Sequence, residues 1–283
     1  MGPRAVQWSV GRASNPVVDA QYRITDDAGI EVLTQPRSVS GDPEAPSILV
    51  RVDVETATLL THCTSSLPEW EVEHIVLDDF LPKMLAHEGA LVLHAAGVLC
   101  GGLGLVILGD SGRGKSTLTA FLGQSGLPIL SDDCLIVGAD AQGHHVAPTY
   151  SGMRLLPDSI SSIFAQPPVT TDMARWSTKQ RVHLTCGFAT DPAPVGALVF
   201  LDPPATGQAV TLRPMAKAES CIGLVANSFA LDPRDTARAT VRMRQAAALA
   251  QDAPAYALSY PRDYACLPDV AAAILDIMAQ VGA

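Results

Sequence analysis

Basic residues are scarce. Nineteen Lys and Arg face 29 Asp and Glu, a formal net charge of −10 over 283 residues. Nucleic-acid binding needs a basic stripe and an anionic bilayer a polybasic patch, so neither partner is expected. Paired cysteines are also missing: Cys63, Cys100, Cys134, Cys186, Cys221 and Cys266 stand singly, without a CxxC or any metal-type spacing. A disulfide framework belongs to shorter secreted chains, so reduced thiols in a cytoplasmic protein are expected. The opening "MGPRAVQWSVGRASNP" has no apolar core of signal-peptide type, and Val6 stands where a myristoylated Gly2 would need Ser or Thr. Repeats and low-complexity tracts are absent as well.

One long uncharged run is present, from Gly89 to Gly109. It is long enough to cross a bilayer, but Gly97, Gly101, Gly102 and Gly104 weaken a helix there and His94 adds a polar group. The run divides better into "ALVLHAAGVLC" and "LGLVILG" around Gly101-Gly102, two strands of a β-hairpin. A membrane anchor is therefore not expected.

Hydrophobic content of 48% over this length supplies material for one large domain or two small ones. Alternation in "VQWSVG", "YRITD", "GIEVLTQ" and "DPEAPSILVRVDV" predicts a small β-rich layer over residues 1–55. From Glu69 the apolar residues Val72, Ile75, Val76, Phe80, Leu81, Met84 and Leu85 recur at helical steps, with Pro82 expected to kink or restart the helix. Further on, helices are expected over "KSTLTAFLGQSG", Thr236–Asp252 and Pro268–Val281. Strands are expected at "LPIL", "CLIVG", "GALVFLD" and "AYALSY", and a loop-rich stretch over 143–190.

The motif with chemistry is "GDSGRGKS", which fits GxxxxGK[ST] with Gly109, Gly114, Lys115 and Ser116. Glycines let main-chain N–H groups turn inward around phosphate oxygens, and the following helix adds its positive end. The lysine brings a charge to the β- and γ-phosphates, and the serine hydroxyl belongs to a Mg²⁺ shell. A chance match is on the order of one in a hundred for a chain this long. No NKxD guanine reader or LSGGQ signature accompanies it. Asp132 and Asp133 end the next strand, where one acid can hold Mg²⁺ and the other take a hydroxyl proton; two solvated turn acids are the plainer reading. Regular strand geometry would point them to opposite faces, so a local turn is needed if both are to reach one phosphate.

On these residues the chain resembles the HPr kinase/phosphorylase catalytic domain. His94, the hairpin, "GDSGRGKST" and "LSDDCLIV" occur in that family's order, with the aspartate pair starting seventeen residues beyond the loop lysine. It is more similar still to shorter HPr-kinase-like proteins that accompany peptide biosynthesis, including lasso-peptide precursor kinases, through "HVAPTYSGMRLLPDS", "STKQRV" and "YPRDYACL". The resemblance spans roughly residues 90–270. It implies an α/β fold: an HPr kinase/PEP-carboxykinase-like P-loop domain with a mixed sheet over 69–283, after a small β-rich region over 1–68.

By the same resemblance, Gly109, Asp110, Ser111, Gly112, Arg113, Gly114, Lys115, Ser116 and Thr117 would cradle ATP, with Ser116 and Asp133 on Mg²⁺. His94, Lys115, Asp132, Asp133 and Arg154 would form the catalytic set, and the two aspartates would divide base and metal duties in an order left open. His94 reads equally well as a core histidine. Lys179, Arg181 and Arg262 are further cation candidates, Arg262 with Asp263 as a possible ion-pair partner. The phosphorylase signature has no counterpart after the aspartates, where Pro148–Asp158 stands, so phosphorolysis is not expected. The expected activity is ATP-dependent transfer of a γ-phosphoryl group to a hydroxyl, a Ser of a peptide or small protein such as a lasso-peptide precursor. A kinase of a free small molecule and a non-catalytic ATP-binding module are the alternatives, and a carboxykinase ranks last. A homo-oligomer is expected by analogy with HPr kinases. His144-His145 and "THC" at 61–63 read as surface and structural features, and Trp8, Trp70 and Trp176 as packing residues, Trp176 alternatively at a substrate edge.

Overall fold

The computed structural model describes the backbone of five strands between residues 7 and 63, then His74, Leu77 and Asp78. It also describes residues 81–149, 152–173, 177–184, 187–204, 209–231 and 233–282. By internal contacts the chain divides into Met1–Val76 with Ala174–Ser177, and Leu77–Met173 with Thr178–Ala283. The boundary drawn from sequence lay at 68/69. Most of the helix expected from Glu69, together with the side chains of Trp8, Trp70, Trp176, Thr61, His62 and Cys63, lies outside what is described.

The first unit holds β1 (Gln7–Arg12), β2 (Tyr22–Thr25), β3 (Gly29–Thr34), β4 (Ile48–Asp53) and β5 (Thr58–Cys63), in the spatial order β1-β5-β4-β3-β2. The β1–β5 pair is parallel and the other pairs are antiparallel.

The second unit is built on a branched mixed sheet. Helix α1 (Leu81–His87) has Pro82 in its first turn, where a missing N–H costs no helical bond. The run expected as one strand before the glycine turn breaks at His94. It gives β6 (Leu91–Leu93) and β7 (Ala96–Cys100), followed by β8 (Leu103–Leu108). Gly101 and Gly102 both have positive φ, 58° and 85°, the conformation a two-residue hairpin requires. Next come α2 (Lys115–Gln124), β9 (Ile129–Ser131), β10 (Leu135–Asp140) and β11 (Gly143–Ala147). A separate three-stranded antiparallel sheet is made of β12 (Met153–Leu155), β13 (Val169–Asp172) and β14 (Gln180–His183), with α3 (Pro157–Ile163) between β12 and β13. The chain closes with β15 (Ala193–Leu201), β16 (Thr211–Pro214), α4 (Lys217–Ala226), α5 (Thr236–Asp252), β17 (Ala255–Ser259) and α6 (Leu267–Val281).

The stretch 143–190 holds four short strands and a helix among its loops. Each is too short to show a period; β11 continues a hairpin from β10, and β12 and β13 both pair with β14. His144 and His145 lie within β11, where His144 Nδ1 sits 2.7 Å from Asp252 Oδ2. Helix α4 and strand β16 were also not anticipated.

Strands β8, β15 and β17 run parallel, with β15 in the middle. Both faces of this group are covered, which explains why "LGLVIL" and "ALVFL" are continuously apolar rather than alternating. The side chains nevertheless alternate between two cores. Leu105, Ile107, Val199 and Leu201 pack with Leu118 and Leu122 of α2 and Val270 and Ile274 of α6. Val106, Leu108, Leu198 and Phe200 pack with Leu224 of α4 and Leu249 of α5. Helices therefore sandwich the sheet. The residues that follow the carboxyl ends of β8 and β17 emerge on the same edge of the sheet, one on each side of β15, where α/β sheets place their ligands.

Candidate functional site

The phosphate-type loop joins β8 to α2. Gly109, Gly112 and Gly114 have φ of +143°, +81° and +97°, which L side chains rarely adopt. A Cβ at Gly109 would also sit 3.2 Å from the Leu201 carbonyl. Gly114 is the N-cap of α2 and provides no side-chain cap, so the first amides of the helix stay open toward the loop. Lys115 is buried and its Nζ donates to the Gly109 carbonyl at 2.7 Å, across the loop mouth. Burial lowers its pKa, with Asp133 pulling the other way. Asp110 and Arg113 pair with each other at 3.1 Å on the exposed crown.

The loop is anchored from behind by a residue with no signal in the sequence. Asn227, just after α4, accepts from the Gly109 N–H through Oδ1 at 3.2 Å, and its carbonyl accepts from the His94 N–H at 2.7 Å. A single asparagine therefore sets the start of the loop and the backbone of His94.

Asp132 and Asp133 lie in a bend between β9 and β10, the local turn that their adjacency demanded. Their environments differ. Asp133 faces a cleft of about 310 Å³. Its Oδ1 lies 3.2 Å from His94 Nε2 and its Oδ2 lies 3.0 Å from Arg154 Nη2. Burial would raise its pKa, but Arg154 and His94 outweigh burial and hold it below the usual carboxylate range. Asp132 is fully buried behind it and does not line the cleft. Oδ2 of Asp132 accepts from the Arg154 main-chain N–H at 2.7 Å, and its Oδ1 is buried without a hydrogen-bond partner. Burial and then the charge of Asp133 push its pKa up to about 6, against Arg154 and the nearby Ser116 hydroxyl.

Arg154, on β12, is buried and also pairs with buried Asp78 at 2.8 Å. Asp78 was not singled out from sequence: it stands beside Asp79 in the acidic stretch "EVEHIVLDD", with no phosphate-type motif near it to mark it. Its pairing makes Arg154 a structural strut as well as a cation at the cleft. Lys179 lines the cleft and adds positive potential at Asp133. Arg181 sits opposite Arg154 in the β12–β14 pair and is not among the cleft residues. Asp263 does not pair with Arg262. Its Oδ1 accepts from the Ala265 N–H, capping a 3₁₀ turn over Tyr264–Cys266. Arg262 instead points its guanidinium at the loop, 3.8 Å from where a Cβ on Gly112 would lie.

The cleft therefore gathers His94, Ser111 to Thr117, Asp133 and Arg154 from the residues expected on sequence, with Asp132 one layer behind and Asp110 on the exposed crown. It also gathers Asp158, Ser159, Tyr260 and Tyr264, which lie in "HVAPTYSGMRLLPDS" and "YPRDYACL" but were given no role from sequence. Among the described residues no group of three or more His, Cys, Asp or Glu could hold a metal on its own. Ser116, the orphaned Oδ1 of Asp132 and the Asp133 carboxylate are a donor set that suits Mg²⁺, which takes one or two carboxylates and completes its shell with phosphate oxygens and water.

No protein-family model matches the chain, and no curated protein matches it. Among solved structures it is similar to the HPr(Ser) kinase/phosphatase from Coxiella burnetii, at 11% identity and a TM-score of 0.33, over 67% of this chain and 94% of that one. A likeness that weak decides nothing about chemistry.

Proposed function

We propose that the protein is an ATP-dependent kinase that transfers the γ-phosphoryl group to a hydroxyl, with a Ser of a peptide or small protein as acceptor. The observation that carries this reading is the meeting, in one cleft, of an open helix N-terminus with buried Lys115 and an ionised Asp133 braced by His94 and Arg154. An ionised carboxylate beside the loop can serve Mg²⁺ in any nucleotide site. Phosphoryl transfer also needs a group to orient the acceptor hydroxyl and take its proton, and the paired acids Asp132 and Asp133 supply enough carboxylates for both duties.

The acceptor oxygen would attack the γ-phosphorus as the bond to the β–γ bridging oxygen breaks, leaving ADP. Asp133 would orient the hydroxyl and take its proton. Lys115, Arg154 and Lys179 would offset the charge on the phosphoryl oxygens, and the amides of 109–117 would hold the chain of phosphates. Ser116, Asp132 and Asp133 would hold Mg²⁺, which when bound would supply positive charge to offset that of the phosphates. A peptide acceptor, including a lasso-type precursor, rests on the resemblance of "PTYSGMRLLPD" and "YPRDYACL" alone.

The test is incubation with Mg-ATP and hydroxyl-bearing peptides, followed by mass spectrometry of the peptides and measurement of ADP. A phosphate adduct on Ser that disappears in D133N supports the reading. Tight ATP binding with no phosphate on any acceptor, peptide or small molecule, sinks it.

A further inference from the structure

One wall of the cleft carries a hydrogen-bond chain that the transfer chemistry does not use. Tyr264 Oη donates to Asp158 Oδ2 at 2.9 Å, Ser159 Oγ lies 3.0 Å from Tyr264 Oη, and Thr117 Oγ1 lies 3.1 Å from Ser159 Oγ. A carboxylate only accepts, and each hydroxyl has one proton. Tyr264 gives its proton to Asp158, so it must accept from Ser159, which in turn accepts from Thr117. The direction of all three bonds is fixed by the charge at the end of the chain. Asp158 is exposed to the cleft, and no ion pair with a cation occupies it among the described residues.

The chain is rooted on the phosphate loop itself, at the residue after Ser116. In a loop of this type the γ end of the nucleotide lies at Lys115 and Ser116, here beside Asp133, and the main-chain amides hold the α- and β-phosphates. The cleft residues fall into two bonded sets: Asp133 with His94 and Arg154, which take the γ end, and Thr117, Ser159, Tyr264 and Asp158, which remain for the nucleoside, with Arg262 near Gly112. A carboxylate whose orientation is set by a directed hydroxyl chain suits a vicinal diol, which presents two donors side by side. An acidic side chain on ribose hydroxyls is a recurrent solution in nucleotide sites.

We propose that Asp158 binds the ribose 2′- and 3′-hydroxyls of the nucleotide held on the 109–117 loop, with Tyr264 and Ser159 as positioning residues. This rests on the nucleotide reading above and deepens it. The protein then selects ribonucleotides over deoxynucleotides through a residue far in sequence from its phosphate motif.

The experiment compares equilibrium affinities of the full chain for ATP, 2′-deoxy-ATP, 3′-deoxy-ATP and inorganic tripolyphosphate, in wild type, Asp158→Asn and Tyr264→Phe. Losing a hydrogen bond to a charged group predicts that wild type binds each deoxynucleotide about tenfold more weakly than ATP. D158N should bind all three nucleotides alike, and Y264F should shrink the ratio while leaving tripolyphosphate unchanged. Equal wild-type affinity for ATP and both deoxynucleotides, with tripolyphosphate still bound, overturns the ribose site and leaves the phosphate loop standing. A D158N effect that falls equally on all four ligands, or only on the acceptor KM, also overturns it. Failure of ATP and tripolyphosphate alike removes the nucleotide reading and this inference with it.

Discussion

Asp132 and Asp133 are chemically identical neighbours shifted in opposite directions: burial and the charge of Asp133 raise Asp132, whereas Arg154 and His94 outweigh burial at Asp133 and lower it. Asp132 keeps its proton up to about pH 6, whereas an unperturbed Asp loses it near 3.8. Between those values the folded state binds more protons than the unfolded state, so stability falls as pH rises through that window. Asp133 acts in a lower window: its depressed pKa contributes stability above the unfolded value, lost as pH falls below about 4. In EDTA, Asp132→Asn is expected to be more stable than wild type above pH 6, by on the order of 3 kcal/mol, with the gain vanishing below pH 4. Urea unfolding from pH 4 to 8 measures this, and a constant difference would show that burial is not what shifts the group. Arg154→Met should cost about 3–5 kcal/mol, because it strips a buried cation from Asp78 and Asp133 together. Thermal or urea melts of that variant must precede any reading of its activity.

The elements that hold the site are short and cooperate at their ends. The β7–β8 hairpin delivers the phosphate loop from its far end, and its Gly101-Gly102 turn has open space where side chains would go. Substituting both by Ala therefore tests backbone conformation without steric conflict. The double variant should lose about 2–4 kcal/mol, since two L residues must enter the left-handed region, while ATP affinity stays unchanged at the opposite end of β8. Calorimetric melts and nucleotide titration separate the two effects, and a tenfold loss of ATP affinity would falsify this division of labour. Helix α2 contrasts with α5, whose Asp235 N-cap accepts from the Arg238 N–H. The uncapped start of α2 leaves its amides for a ligand, a stability cost set by function.

At the scale of the whole molecule, the parallel strands β8, β15 and β17 bring the loop and the 260–264 segment to one edge, and two cores hold that edge from opposite faces. A ligand that binds only this assembled edge must stabilise the fold by mass action. ATP at a hundred times its Kd is expected to add about 2.7 kcal/mol, seen as a rise in Tm. Lys115→Met should abolish most of that rise. A shift that persists in K115M would place the nucleotide elsewhere.

The phosphate loop, the glycine hairpin and helices α5 and α6 were readable in the chain itself, because each depends on neighbours in sequence. Main-chain amides of consecutive residues form the nest, and a helix shows its period over several turns. The acids were visible as a pair, yet nothing local distinguishes them. Only the tertiary structure decided that Asp133 faces the cleft while Asp132 is enclosed, and that Asn227, Asp78, Asp158 and Tyr264 belong to the site. Burial and long-range pairing are properties of the packed whole: a side chain's solvent, and its partner a hundred residues away, come into being only when the sheet closes.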